Sequence, residues 1–378
     1  MKKPIILYFI LYIWIYALSS CSALRADGID VERATGKCYS HDYLSKVDFN
    51  EYDKIWIDPT LDYKYSLDKD KAGVDQDSDW LKQNWHFHSI YRNAIELCAT
   101  GDVESCNDIV EHTKFLAENK KMFKNKYFDT HGHDYYESTL FNNFSIAHVL
   151  TAYGVAIQKV EVDADTHDKI GKQFKKAIKS NNRLKNDGQK YVNNHHLVSA
   201  RSFALYGTIF DDAKAIKKAK SLLNRYYKTM TKEGALKYEA VRGHRALFYT
   251  GKTITAVISI LNILEDGGEQ AWTDREIEWV AKAVEFYIDA SEDNMKIYKW
   301  AKQKKHNKKG DAKIQQMTHN QKGWVRPFVQ RYTATHPELV EKVLGQYHVG
   351  LYLQNDTRKN GDQWILVDTK CFYNIGEK

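Results

Sequence analysis

Proline is scarce in this chain, and where it is missing matters more than how little there is. The four prolines among 378 residues are Pro4, Pro59, Pro327 and Pro337, so residues 60–326 contain none. A proline-free stretch of that length favours helices over turn-rich β-structure. No linker rich in Pro, Gly or Ser divides the chain, which reads as one domain. Cysteine is also sparse: five residues and no CxxC pair, which argues against a thiolate zinc site. The histidine pairs His86/His88 and His131/His133 are spaced i, i+2, which does not put two rings on one helical face. We therefore expect no catalytic metal and no cofactor. Paired carboxylates are missing near the residues singled out below, where Glu239 is the only adjoining acid, and this weighs against a glycoside hydrolase.

What the chain does have is helical periodicity. Ile216, Ala219, Leu223 and Tyr226 recur at helical spacing with lysines opposite, as do Ile277, Val280, Val284, Tyr287 and Ile288. The apolar run Thr253–Leu264 reads as an inner, more buried helix. Amphipathic helices joined by short polar turns, with no alternating strand segments, predict an all-α fold of antiparallel helix pairs, arranged as an incomplete α/α toroid. Two short strings stand out on this background: Asn193-Asn194-His195 and Arg242-Gly243-His244-Arg245-Ala246-Leu247-Phe248-Tyr249. Asn193 or Asn194 suits a helix cap. His195, Val198, Ser199, Ser202, Phe203 and Tyr206 would then share one face, with His195 pointing into a cleft.

An amide, an imidazole, guanidinium groups and a phenol suit β-elimination on an acidic sugar. In a 4-linked uronic acid the C5 proton lies beside a carboxylate, so removing it adds negative charge to an anion. Preorganised donors aimed at that carboxylate lower the barrier, and losing one costs about 10²–10³ in rate. A base and an acid within hydrogen-bond reach contribute about 10²–10⁴ more. His195 and Tyr249 fit those roles, and Tyr249 would act as base with help from the nearby cations Arg242 and Arg245.

At these residues the chain resembles the alginate lyase family that degrades poly-mannuronate, whose hallmarks are Asn-Asn-His and a later Arg-Gly-x-Arg-Ala-Leu-x-Tyr. The likeness is strong over 190–260 and fainter over 50–190, with little beyond about 270. It implies the toroid fold and assigns roles: Asn194 and Arg242 as carboxylate neutralisers, His195 as neutraliser or base, Tyr249 as acid and, for one epimer, also base. Asn193 and Arg245 join them as substrate-binding candidates. His196-Leu197-Val198 departs from the family's Ser-Tyr-Trp, a difference that bears on which sugar is taken. The family has a lid near residues 56–75 with a substrate-touching tyrosine and lysine, which points to Tyr65 and Lys69. Trp324 and Arg326 are further candidates for stacking on sugar and binding carboxylate.

The N-terminus bears on location. Lys2 and Lys3 precede an apolar run from Pro4 to Leu18, followed by Leu18-Ser19-Ser20-Cys21, which reads as a secretory signal ending in a bacterial lipobox. The expected organisation is a lipoprotein signal over 1–20, a tether over 21–50 and a single lyase domain over 51–378. A retained membrane anchor is the competing view, but about 15 apolar residues fall short of the roughly 20 that span a bilayer. Cleavage near Ala23 or Ala26 is a third. If Cys21 carries lipid, Cys38, Cys98, Cys106 and Cys371 can form two disulfides; Cys98 with Cys106 brackets a short polar connection, leaving Cys38 with Cys371. Without Lys2 and Lys3 the chain keeps 54 Lys and Arg against 49 Asp and Glu, a modest positive field that suits an anionic partner. The basic segment 302–309 is the best case for nucleic acid, but in an exported protein it reads as a loop or a rim for a polyanionic sugar. We expect a monomeric lyase in the periplasm or cell envelope, held to the membrane through lipid, with an anionic polysaccharide substrate and no nucleic acid. The alternative is a non-catalytic polysaccharide-binding or export-assisting envelope lipoprotein.

Overall fold

A computed structural model describes residues 94–118 (without 96 and 100), 135–181, 193–301 and 323–347, with backbone alone at 135–142, 244, 326 and 347. The named helices are α1 Val103–Glu118, α2 Tyr135–Ala156, α3 Ala164–Asn181, α4 Asn194–Ile209, α5 Ala213–Tyr227, α6 Lys237–Ala240, α7 Ala246–Asp266, α8 Asp274–Glu292, α9 Met295–Ala301, α10 Val325–Tyr332 and α11 Pro337–Tyr347. No strand occurs among the described residues; the nearest thing is one isolated bridge between Met230 and Leu236. Proline sits where its missing N–H does no harm, with Pro327 and Pro337 in the first turns of α10 and α11.

The outer helices carry the periodicity read from the sequence. In α5 the stripe Ile216, Ala219, Leu222, Leu223 and Tyr226 is buried, and Asp212 caps the helix by accepting from Lys214 N–H and Ala215 N–H. In α8 Val280, Val284, Tyr287 and Ile288 are buried and Ile277 partly so. The two long central helices have no polar side. Helix α4 packs on α2, α5 and α7, and every residue from Leu197 to Ile209 is buried. Its first-turn histidine therefore does not head a cleft-facing stripe as expected. Ser199 and Ser202 face α2 instead: Asn143 Nδ2 donates to Ser199 Oγ at 3.4 Å and to the Asn181 carbonyl at 3.3 Å, and Ser202 Oγ donates to the Asn143 carbonyl at 3.1 Å. This network ties α2, α3 and α4 together directly behind His195.

Helix α4 leads through a three-residue turn back along α5, and the pair meet so closely that a Cβ added at Gly207 would lie 2.7 Å from Ile216 Cδ1 and 2.9 Å from its backbone nitrogen. Helix α7 is long and apolar enough to cross a membrane, yet most of it is buried within the protein. Its apolarity follows from being enclosed between α4 and α8. At the N-terminal end Cys98 and Cys106 are joined by a disulfide, the pairing expected from their spacing. Cys21, Cys38 and Cys371, the candidate lid residues Tyr65 and Lys69, both histidine pairs and the basic segment 302–309 lie outside the described residues.

Candidate active site

Both strings fall at the starts of central helices. Asn193 is the N-cap of α4, in extended conformation, and its side-chain oxygen accepts from His195 N–H at 3.1 Å. That oxygen, expected at the substrate, is engaged in holding the first turn. Asn194 and His195 follow as the first two helical residues. The second string begins after the one-turn helix α6. Arg242 N–H donates to the Glu239 carbonyl at 3.0 Å, and a 3₁₀ turn, Gly243–Arg245, then feeds into α7. Gly243 makes that entry possible because its φ of +62° is a left-handed conformation costly for residues with a Cβ. Tyr249 is the fourth residue of α7 and Arg245 its N-cap.

The strings are linked through Glu239 and through the charge that Arg242 exerts on His195. Asn194 N–H donates to Glu239 Oε1 at 2.8 Å, across 45 residues of sequence. Asn194 Oδ1 is buried without a hydrogen-bond partner among the described residues, a condition that folded proteins rarely tolerate away from functional sites. The Arg242 guanidinium lies over the Tyr249 ring, its carbon 3.9 Å from the ring centroid, so the cation–π attraction holds these two groups in register.

The electrostatics follow from enclosure. Burial above all, then the positive charges of Arg242 and Lys252 and the neighbouring His196, pull the His195 pKa down to about 3. At neutral pH its imidazole is uncharged, the form required of a base. His196 is likewise lowered to about 4, by burial and then Arg225. Burial pushes the Glu239 carboxyl up to about 7, although Arg242, the Asn194 N–H, Tyr226 and Lys252 all work in the other direction.

Two participants are not legible in the sequence. Glu239 reads there as an acid beside a string, and only the fold makes it the residue joining both. Lys252 belongs to neither string, although it lies three residues after Tyr249 and so on the same face of α7. Its Nζ is 5.6 Å from the Phe144 ring and 5.8 Å from the Phe248 ring, and its charge reaches both His195 and Glu239. Trp324 requires a correction. It is fully buried, packed edge-on against Tyr287 and Phe328 at 5.7 and 5.8 Å, so neither ring face is left for a sugar. Arg326 has only its backbone described, at the start of α10.

Comparison with known proteins gives the arrangement its context. No curated protein matches the sequence. Among solved structures, alginate lyase A1-III from Sphingomonas species A1 superposes with a TM-score of 0.58 at 13% identity, covering 83% of this chain and 90% of that one. Two variants of the A1-III enzyme complexed with a tetrasaccharide superpose with TM-scores of 0.52. One, with tyrosine replaced by phenylalanine, is 12% identical and covers 71% of this chain and 72% of its own. The other, with histidine replaced by alanine, is 13% identical and covers 74% and 80%. At such identities the likeness speaks for the fold. The sequence itself matches the family model described as alginate lyase over residues 100–297, more than half of the chain and further toward the C-terminus than the strings alone suggested. With that match across both strings and the helices that present them, the chain belongs to the alginate lyase family of polysaccharide lyases.

Proposed function

We propose that the protein cleaves a mannuronate-rich polyuronate of the alginate type by β-elimination, on an incomplete α/α toroid. The observation that carries this reading is the meeting of an amide, an uncharged imidazole, a guanidinium and a phenol at the starts of α4 and α7. Arg242 and Asn194 face the uronate carboxylate and take up the charge that develops when the C5 proton leaves. The N-terminal end of α4 adds its positive dipole end to the same region, and Lys252 adds a further positive charge. His195 or, for one epimer, Tyr249 takes the C5 proton. Tyr249 gives a proton to the bridging oxygen as the C4–O bond breaks and the C4=C5 double bond forms. One chain end leaves as an alcohol and the other as an unsaturated uronate, with no water consumed.

Cys21 carries lipid in this reading and holds a monomeric enzyme at the cell envelope, where the polymer is met. Incubating the protein with a panel of polyuronates and following ultraviolet absorbance of the conjugated double bond tests the reaction. Absorbance should grow fastest with poly-mannuronate. Binding without absorbance on any polyuronate would instead identify a non-catalytic polysaccharide-binding lipoprotein.

A further inference from the structure

Forty-six residues separate His195 from Arg242, and although α4 and α7 pack together, Arg242 lies ahead of α7, before the turn that leads into it. Chemistry on a uronate requires the two strings to be fixed against each other, since a misplacement of about 1 Å can cost about 10²-fold in rate. We propose that Glu239 is the positioning residue that sets Asn194 against Arg242. This inference rests on the lyase reading above for its consequence, and on geometry for its substance.

One residue reaches both strings by different atoms. Its side-chain Oε1 accepts Asn194 N–H at 2.8 Å, and its backbone carbonyl accepts Arg242 N–H at 3.0 Å. The first turn of α4 needs an outside acceptor, because the early N–H groups of a helix have no partner within it. Asn193 serves His195 N–H, and Glu239 serves Asn194 N–H. Glu239 is itself fully buried, so it holds its neighbours without touching substrate. Its surroundings are built to keep a carboxyl there: the cations of Arg242 and Lys252 and the phenol of buried Tyr226 all favour its charged form against burial. An oxygen of the charged or the neutral group can accept the Asn194 N–H, so the link persists through its titration near neutral pH.

The test compares Glu239→Ala with Glu239→Gln, which keeps an acceptor oxygen of the same reach. In Glu239→Ala, kcat on a cleaved polyuronate should fall at least about 10²-fold while KM changes less than about threefold. Glu239→Gln should stay within about tenfold of wild type in kcat, with an unchanged pH profile. Because Glu239 acts through Asn194, adding Glu239→Ala to Asn194→Ala should cost little beyond Asn194→Ala alone. Amide exchange followed by NMR supplies a readout free of activity: Asn194 N–H should exchange faster in Glu239→Ala and not in Glu239→Gln. Unchanged exchange at Asn194, additive losses in the double variant, or a folded Glu239→Ala within about threefold of wild-type kcat would each overturn the assignment. Should Glu239→Ala not fold, Glu239→Gln decides. A kcat loss beyond about 10²-fold with Asn194 N–H still protected would mean that charge matters and position does not, which also overturns it. A wild-type protein that releases no unsaturated product from any polyuronate would count against the lyase reading alone, and the exchange measurement would still decide where Glu239 acts.

Discussion

Tyr249 differs from phenylalanine by one oxygen, and that oxygen carries the only proton its side chain can transfer. The ring also stacks under Arg242 at 3.9 Å, a contact that phenylalanine preserves. Tyr249→Phe should therefore lower turnover at least about 10³-fold, while oligosaccharide binding measured by calorimetry changes little. Retention of a tenth of the activity would remove Tyr249 from the proton path. Arg242→Lys keeps the charge but loses the planar fork that grips a carboxylate and packs over the Tyr249 ring. Most activity on polyuronates should go with it, and an esterified polymer should depend on Arg242 less; equal dependence would make the residue structural. Glu239 makes a pH prediction. Its folded pKa of about 7 lies above the ordinary 4.5, so the folded state holds a proton that the unfolded chain has released. The linked stability is fully present below about pH 4.5 and is lost as pH rises toward and through 7. Denaturant midpoints measured across that range should decline less in Glu239→Gln than in wild type.

At the scale of helices, the site depends on how closely α4 can sit among its neighbours. Gly207 is the point of closest approach to α5, with Ile216 backbone and side chain both inside 3 Å of any added Cβ. Gly207→Ala forces the pair apart, because the obstacle includes backbone and cannot swing away. Thermal or denaturant unfolding should report a loss of about 1–3 kcal/mol, and turnover should fall with it because α4 carries Asn194 and His195. An unchanged midpoint would show that α5 yields more readily than its packing suggests. The polar network of Asn143, Ser199 and Ser202 fixes α4 on the opposite side, against α2. Helix α4 is thus held by buried hydrogen bonds on one flank and by close apolar packing on the other, and its first turn inherits that rigidity.

For the whole molecule, the N-terminal sequence bears on where it works. If Leu18-Ser19-Ser20-Cys21 is a lipobox, mass spectrometry of protein from a bacterial envelope should find Cys21 as a diacylglyceryl-modified N-terminus, and Cys21→Ser should release the protein with its kcat intact. A mature N-terminus downstream of Cys21, or Cys21 in a disulfide, would overturn both the anchor and the pairing of Cys38 with Cys371. The apolar helix α7 does not bear on location, since its hydropathy is accounted for by burial in the protein's own core. Its start holds Tyr249, so the helix that gives the core its apolar centre also presents the phenol.

Local pattern determined much of this protein. The missing prolines and the stripe Ile216, Ala219, Leu223 and Tyr226 were enough to predict helices, because a helix buries one face at a period the sequence displays directly. The strings at 193–195 and 242–249 were legible for a similar reason: each packs its chemistry into consecutive residues. Tertiary structure decided what depends on distant neighbours. Trp324 looks like a sugar platform in isolation and is core, because its exposure is set by Tyr287 and Phe328. Ser199 and Ser202 look like a polar, cleft-facing stripe, yet α2 covers them. Glu239 reads as an incidental acid until the fold brings its carboxylate to an N–H 45 residues away. Periodicity and motif are properties of neighbours along the chain, whereas burial, hydrogen-bond partners and the proton affinities of His195 and Glu239 are set by groups that become neighbours only when the helices pack.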